Sequence, residues 1–222
     1  MLSRRLSAIA EYVQDCDTLL DVGSDHGLLP YWLLKQNRIR TALVSDVREE
    51  PLKQAQHTLK SFDSSRVRFY LSDGLRSIDE PFDTCVIAGM GSPNIQNILV
   101  GGLEKAKKAH RILLQSNSGL SVLRQFMVDH QFELKDERLV KERAHFYVIM
   151  HYAPSHHKQF ITPSECVLGT VLQHQNSVEL IMYYQHLLNK ELRIIRGRRL
   201  TSTPNYEILS AHLTRLKESH ET

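Results

Sequence analysis

The sequence predicts an α/β fold: a mostly parallel, seven-stranded sheet followed by a C-terminal α-helical antiparallel coiled-coil hairpin. Three observations carry this. Short apolar runs alternate with stretches of helical periodicity, which implies right-handed crossovers and a sheet covered on both faces. The parallel runs end in polar tails rich in glycine or acid: DVGSDHG, SD, SDG, AGMG and QSN. Beyond residue 163 the pattern changes, and Val178, Ile181, Gln185, Leu188, Leu192 and Ile195 follow 3-4-3-4-3 spacing.

The elements follow in order. Residues 1–14 place Leu2, Leu6, Ile9, Ala10 and Val13 on one helical face. Thr18–Val22 reads as a strand and Leu28–Gln36 as a helix, then Thr41–Ser45 as a strand and Glu50–Leu59 as a helix. Val67–Leu71 and Phe82–Ala88 are the next strands, and Asn94–Leu103 a helix. Arg111–Gln115 is a strand and Leu120–His130 a helix. Glu133–Val140 and Phe146–Tyr152 are β-like runs joined by the short polar stretch KERA, which suits a hairpin and so an antiparallel end to the sheet. APSHHKQFITP, at 153–163, reads as a linker. After the long helix, Pro204 starts another, with Tyr206, Leu209, Leu213 and Leu216 at 3-4-3 spacing. The expected division is 1–154 for the sheet domain and 155–222 for the helical one.

Composition narrows the class. The chain has 222 residues, 41% of them hydrophobic, and a net charge of +3, which permits nucleic acid as a partner without requiring it. No run of about 18 apolar residues argues for a membrane span, and MLSRRLSAIAEYV lacks the pattern of a signal peptide. Cys16, Cys85 and Cys166 lie far apart and form no CxxC, so reduced thiols and a cytoplasmic location are expected. Twelve histidines are scattered without metal-ligand spacing, so no metal is expected.

In open sheets of this kind, ligands bind beyond the carboxyl ends of the strands. The polar tails therefore converge on one site. The first, LLDVGSDHG, lacks the Lys and Ser/Thr of a triphosphate-binding loop and the spacing GxGxxG of a dinucleotide fold. Asp21 and Asp25 would repel a pyrophosphate at a helix N-terminus. S-adenosylmethionine has no phosphate. Its ammonium suits the acids around the Gly23 turn. Its ribose suits Asp46, which stands 23 residues after Gly23 at the end of the next strand. Its adenine amino group suits Asp73, with Gly74 allowing close approach. Taken together these acids describe a class I, Rossmann-like methyltransferase domain. Asp25 and His26 stay open: they bind the cofactor, act on the substrate, or cap a helix.

With these residues assembled, the chain resembles the bacterial TrmK family. The resemblance rests on Asp21–Pro30 (DVGSDHGLLP), Ser45–Val47 (SDV), Ser72–Leu75 (SDGL), Ile87–Gly91 (IAGMG) and Leu114–Asn117 (LQSN), and it covers the chain including its helical tail. Ser92, Ser116 and Gly27-Leu28 depart from the family's usual residues. The resemblance implies an S-adenosylmethionine-dependent tRNA methyltransferase acting on N1 of adenine at position 22. The alternative is a methyltransferase of another RNA or of protein, or a non-catalytic RNA-binding protein on the same fold. The cofactor-binding candidates are Asp21, Gly23, Ser24, His26, Asp46, Val47, Asp73, Gly74, Ala88, Gly89, Met90 and Gly91. Asp25 and Asn117 are the catalytic candidates, Asp25 as electrostatic group or proton acceptor and Asn117 as the group that orients the base. Arg4 and Arg5, with Lys190, Arg193, Arg196, Arg198 and Arg199 on the tail, are the candidates for RNA phosphates. The hairpin could pair within one chain or with a second; a monomer is the favoured reading.

Overall fold

The computed structural model describes residues 2–221, with side chains described through Ser219. Seven strands form one sheet: β1 (Thr18–Val22), β2 (Thr41–Asp46), β3 (Val67–Leu71), β4 (Thr84–Met90), β5 (Arg111–Ser116), β6 (Phe132–Glu142) and β7 (His145–Pro154), in spatial order β3-β2-β1-β4-β5-β7-β6. Strands β1 to β5 are parallel to their neighbours among themselves. Strand β7 runs antiparallel to β5, and β6 antiparallel to β7. The order reverses between β1 and β4, and that switch point opens a cleft at the strands' carboxyl ends.

The strands are central because they are apolar on both faces. Leu19, Val44, Val86 and Leu113 pack on one side with Ile9, Leu33 and Leu59, which belong to α1 (Arg4–Tyr12), α2 (Leu28–Lys35) and α3 (Glu49–Leu59). Leu20, Leu43, Ile87 and Leu114 pack on the other with Ile95 and Leu123, from α4 (Ser92–Val100) and α6 (Leu120–Asp129).

Two expectations change. The helix expected over Asn94–Leu103 splits at Gly101-Gly102, and a short α5 (Leu103–Ala106) follows. Glycine pairs end helices because their backbone loses more freedom on ordering. The expected linker is followed at once by another helix, α7 (Pro163–Leu168). Thr162 accepts from the Glu165 N–H at 3.2 Å, and the Glu165 carboxylate accepts from the Thr162 N–H at 2.8 Å. That capping box, with Pro163 in the first turn, is a complete helix start.

The tail consists of α8 (Val178–Arg198) and α9 (Pro204–Glu221), packed against each other as a hairpin. Its apolar side belongs to the same core: Leu180, Tyr183, Tyr184, Leu209 and Leu213 join the residues on the β4–β5 face. The Tyr184 hydroxyl donates to the Leu168 carbonyl at 2.9 Å, tying α8 to α7.

Candidate active site

The cleft at the switch point holds about 850 Å³. Strand β1 delivers Asp21, and the chain then turns at Gly23, whose φ is +69°. A side chain there would also meet Met90, because a Cβ would lie 2.0 Å from the Met90 Cε. The turn is tied to β2 by the Gly23 N–H, which donates to the Ser45 carbonyl at 2.8 Å. Asp21 is buried, and its carboxylate accepts from the Ser24 hydroxyl at 2.5 Å. Burial pushes this carboxyl up to about 6, against the Ser24 hydrogen bond and the positive charge of Arg5. A buried acid so held favours a cationic group brought to it.

The neighbouring acids are placed differently. Asp46 is buried at the end of β2, and its Oδ1 accepts from the Arg48 N–H at 2.9 Å. Asp73 follows β3, is exposed, and pairs with Arg76 at 2.8 Å. Asp25 and His26 stand exposed at the cleft with Asp25 Oδ2 3.5 Å from His26 Nε2, and Asp25 holds a left-handed φ of +50°. Asp is among the few side chains that tolerate that region.

The far wall comes from β4 and β5. Their register shifts between Ala88 and Met90, so Gly89 bulges out of the ladder with φ +80°. Side chains take over the bonds that the bulge frees. The Gly89 N–H donates to Gln115 Oε1 at 3.1 Å, and the Gly89 carbonyl accepts from Asn117 Nδ2 at 2.8 Å. Gln115 Nε2 donates to Asn117 Oδ1 at 2.9 Å, and Arg5 Nη1 donates to Gln115 Oε1 at 2.7 Å. The departing serines stitch this wall: Ser116 Oγ donates to the Ser118 carbonyl at 2.7 Å, and Ser92 Oγ accepts from Gln96 at 2.8 Å.

All the catalytic and cofactor-binding candidates line this cleft except Gly91, which caps α4. Two of the proposed RNA-contacting residues part company. Arg4 is exposed on α1, whereas Arg5 lies in the cleft wall, its guanidinium 5.4 Å from the centre of the Tyr147 ring. Lys190, Arg193, Arg196, Arg198 and Arg199 are all exposed toward the end of α8, remote in sequence from the cleft. The cleft also gathers Arg48, Asn94, Asn97 and Tyr147, which the sequence reading did not nominate. Asn94 and Asn97 stand three apart just after AGMG, a spacing that puts both on one helix face. Tyr147 had no such signal. Among the described residues no group of His, Cys, Asp and Glu could hold a metal ion, and no helix is long and apolar enough to cross a membrane.

A Rossmann-like seven-stranded sheet with an acid at or just beyond the carboxyl end of each of its first three strands, and no phosphate loop, defines a class I methyltransferase. A family model described as a methyltransferase domain matches residues 2–150. The Bacillus subtilis tRNA (adenine(22)-N(1))-methyltransferase is 30% identical over 151 residues, which span 67% of this chain and 63% of that enzyme. A Mycoplasma pneumoniae protein, provisionally assigned as a tRNA methyltransferase, is 31% identical over 84% of this chain and 89% of its own. Among solved structures, Streptococcus pneumoniae Sp1610 in complex with S-adenosyl-L-methionine superposes with a TM-score of 0.84 at 28% identity, covering 98% of this chain and 99% of that one. The chain belongs to the methyltransferase domain family.

Proposed function

We propose that this protein transfers the methyl group of S-adenosylmethionine to N1 of adenine 22 in tRNA. The observation that carries the reading is the cleft itself, where Asp21, Asp46 and Asp73 stand at the carboxyl ends of successive strands around a turn too crowded with acid for phosphate. The named activity of the Bacillus subtilis relative supplies the position in tRNA.

Asp21 and the Gly23 turn would hold the ammonium end of the cofactor, Asp46 the ribose hydroxyls, and Asp73 with Gly74 the adenine edge. Met90, packed across Gly23, gives an apolar surface beside them. The cofactor supplies an electrophilic methyl group already activated by its sulfonium. N1 of a neutral adenine carries a free lone pair, so the protein's task is alignment. Asn117, with its amide fixed by Gln115 and Gly89, orients the base. Asp25 faces the developing positive charge and accepts the proton that leaves N6 of the methylated base. The target base must leave its stack to arrive here. Residues 1–154 carry the transfer, and the basic end of the hairpin, within 155–222, grips phosphates. The protein works in the cytoplasm as a monomer.

The test is transfer of labelled methyl to total tRNA lacking modifications, followed by mapping of the modified nucleoside. One methyl per acceptor tRNA at N1 of adenine 22 is expected. Label in protein alone, or at another nucleoside, would overturn the assignment.

A further inference from the structure

A second cleft, of about 470 Å³, adjoins the first, and Asn117 lines both. It runs between the loop after β5 and the hairpin, and its size is in the range of small-ligand pockets, about 300–1,000 Å³. Phe146, Val148, Val167 and Leu187 give it an apolar lining. The Phe146 ring lies 5.8 Å from the ring of Tyr183 and 5.8 Å from that of His186. His186 is exposed, and burial together with Lys190, Arg193 and His145 holds its imidazole below the usual range. It presents a flat ring open to stacking.

Lys190 and Arg193 line the same cleft four and seven residues further along α8, on one helix face with His186. Among the described residues neither side chain makes an ion pair or hydrogen bond. One acid, Glu191, also lines the groove, and its carboxylate is committed to the turn of the hairpin. It accepts from Thr203 Oγ1 at 2.9 Å and from Asn205 Nδ2 at 3.2 Å. The groove thus combines an aromatic lining, two uncommitted cations, and an opening onto the methyl-transfer cleft at Asn117. Base plus phosphate matches all three features, whereas an acidic peptide would leave the aromatic interior unused.

We infer that this groove receives the base of a nucleotide flanking the methylated adenosine, with that nucleotide's phosphate on Lys190 and Arg193. The inference rests on the RNA reading above. An adenine drawn out of its stack leaves its neighbour without a partner, and the Phe146–His186 surface replaces the lost stacking. The groove and the catalytic cleft then hold consecutive nucleotides of one strand, on either side of Asn117.

The experiment uses tRNA transcripts carrying an abasic nucleotide immediately 5′ or 3′ of the target adenosine. They are assayed with the wild-type protein, with His186→Ala, and with Ser121→Trp, which fills the groove from α6. One of the two abasic substrates should lose about tenfold in kcat/KM with the wild type, the scale of a single stacked base. His186→Ala and Ser121→Trp should lose a similar factor on intact tRNA and little more on that abasic substrate, with S-adenosylmethionine affinity unchanged. Abasic substrates that react like intact tRNA, or an abasic loss undiminished in both variants, would overturn the inference. Failure of the wild type to methylate intact tRNA would instead remove the tRNA reading, and this inference with it.

Discussion

Gln115 Nε2 donates to Asn117 Oδ1, and that bond decides which edge Asn117 turns toward the cleft. The polarity has one solution. Arg5 Nη1 and the Gly89 N–H are both obligate donors, so the Gln115 oxygen must face them and its NH₂ must face Asn117. The Asn117 oxygen then faces Gln115, and its NH₂ faces the Gly89 carbonyl, an obligate acceptor. Asn117→Asp keeps the first contact and sets an anion against that carbonyl. A charged or neutral hydrogen bond lost here is worth about 1–3 kcal/mol, so kcat should fall roughly 10- to 100-fold. S-adenosylmethionine affinity, measured by calorimetry, should stay within about threefold. A matching loss of cofactor affinity would show that Asn117 acts on the cofactor rather than on the base.

Asp21 makes the unliganded protein sensitive to pH. Its carboxyl stands at about 6 in the fold against 3.8 for a free aspartate, and desolvation is the main cause. A raised acid favours the protonated folded state. Its contribution is therefore complete below about pH 4 and is lost as pH rises through 6. Raised that far, the carboxyl withholds about 3 kcal/mol of stability by pH 7. Asp21→Asn should raise the melting temperature of the unliganded protein at pH 7, leave it nearly unchanged at pH 4, and weaken cofactor binding at least tenfold. An ammonium arriving at Asp21 also stabilises its ionised form. Cofactor binding near pH 6 should then release protons, detectable by calorimetry in buffers of different ionisation enthalpy.

The parts of the site that could be read in advance are those carried by local sequence. A polar residue or glycine that closes an apolar run sits at a strand's carboxyl end, and Asp21, Asp46, Gly89 and Asn117 all do. The parts that escaped depend on chain-distant packing. Arg5 looks like a surface cation beside Arg4, and only the docking of α1 beside β7 turns it onto Gln115 and Tyr147. The T-P-S-E start of α7 was readable as a capping box but lay in a stretch whose prolines suggested a linker. The periodicity of α8 and α9 announced a hairpin, yet did not show that its apolar side joins the sheet's own core.

Gly23 and Met90 form a matched pair across the cleft floor. Gly23→Ala meets the left-handed φ of +69° whatever the space, and it also pushes aside the Met90 methyl, which lies 2.0 Å from the new Cβ at the end of a flexible side chain. The backbone cost alone is about 1–2 kcal/mol. The variant should unfold at lower urea concentration and lose at least tenfold in cofactor affinity. Adding Met90→Ala removes the overlap and leaves the φ cost. Part of the affinity should therefore return, with stability still reduced by about that 1–2 kcal/mol. Full recovery of stability would show that the overlap alone was responsible.

Arg124 of α6 and Glu137 of β6 form an ion pair with no exposed surface, and Arg124 carries the link on to α7. Glu137 Oε1 accepts from Arg124 Nε at 2.8 Å and from Nη2, while Nη1 donates to the Cys166 carbonyl of α7 at 2.8 Å. Removing one member leaves an uncompensated buried charge, which costs about 3–5 kcal/mol. Glu137→Leu should therefore lower stability in urea by that order. The double variant Arg124→Met/Glu137→Leu should regain most of it, because an apolar pair of similar volume carries no desolvation penalty. Function separates the two roles of the pair. The Cys166 contact fixes α7, and α7 supports the hairpin through Tyr184. The double variant should thus bind S-adenosylmethionine normally while its KM for tRNA rises several-fold, since the basic end of α8 is less firmly placed. An unchanged KM would assign the ion pair to stability alone.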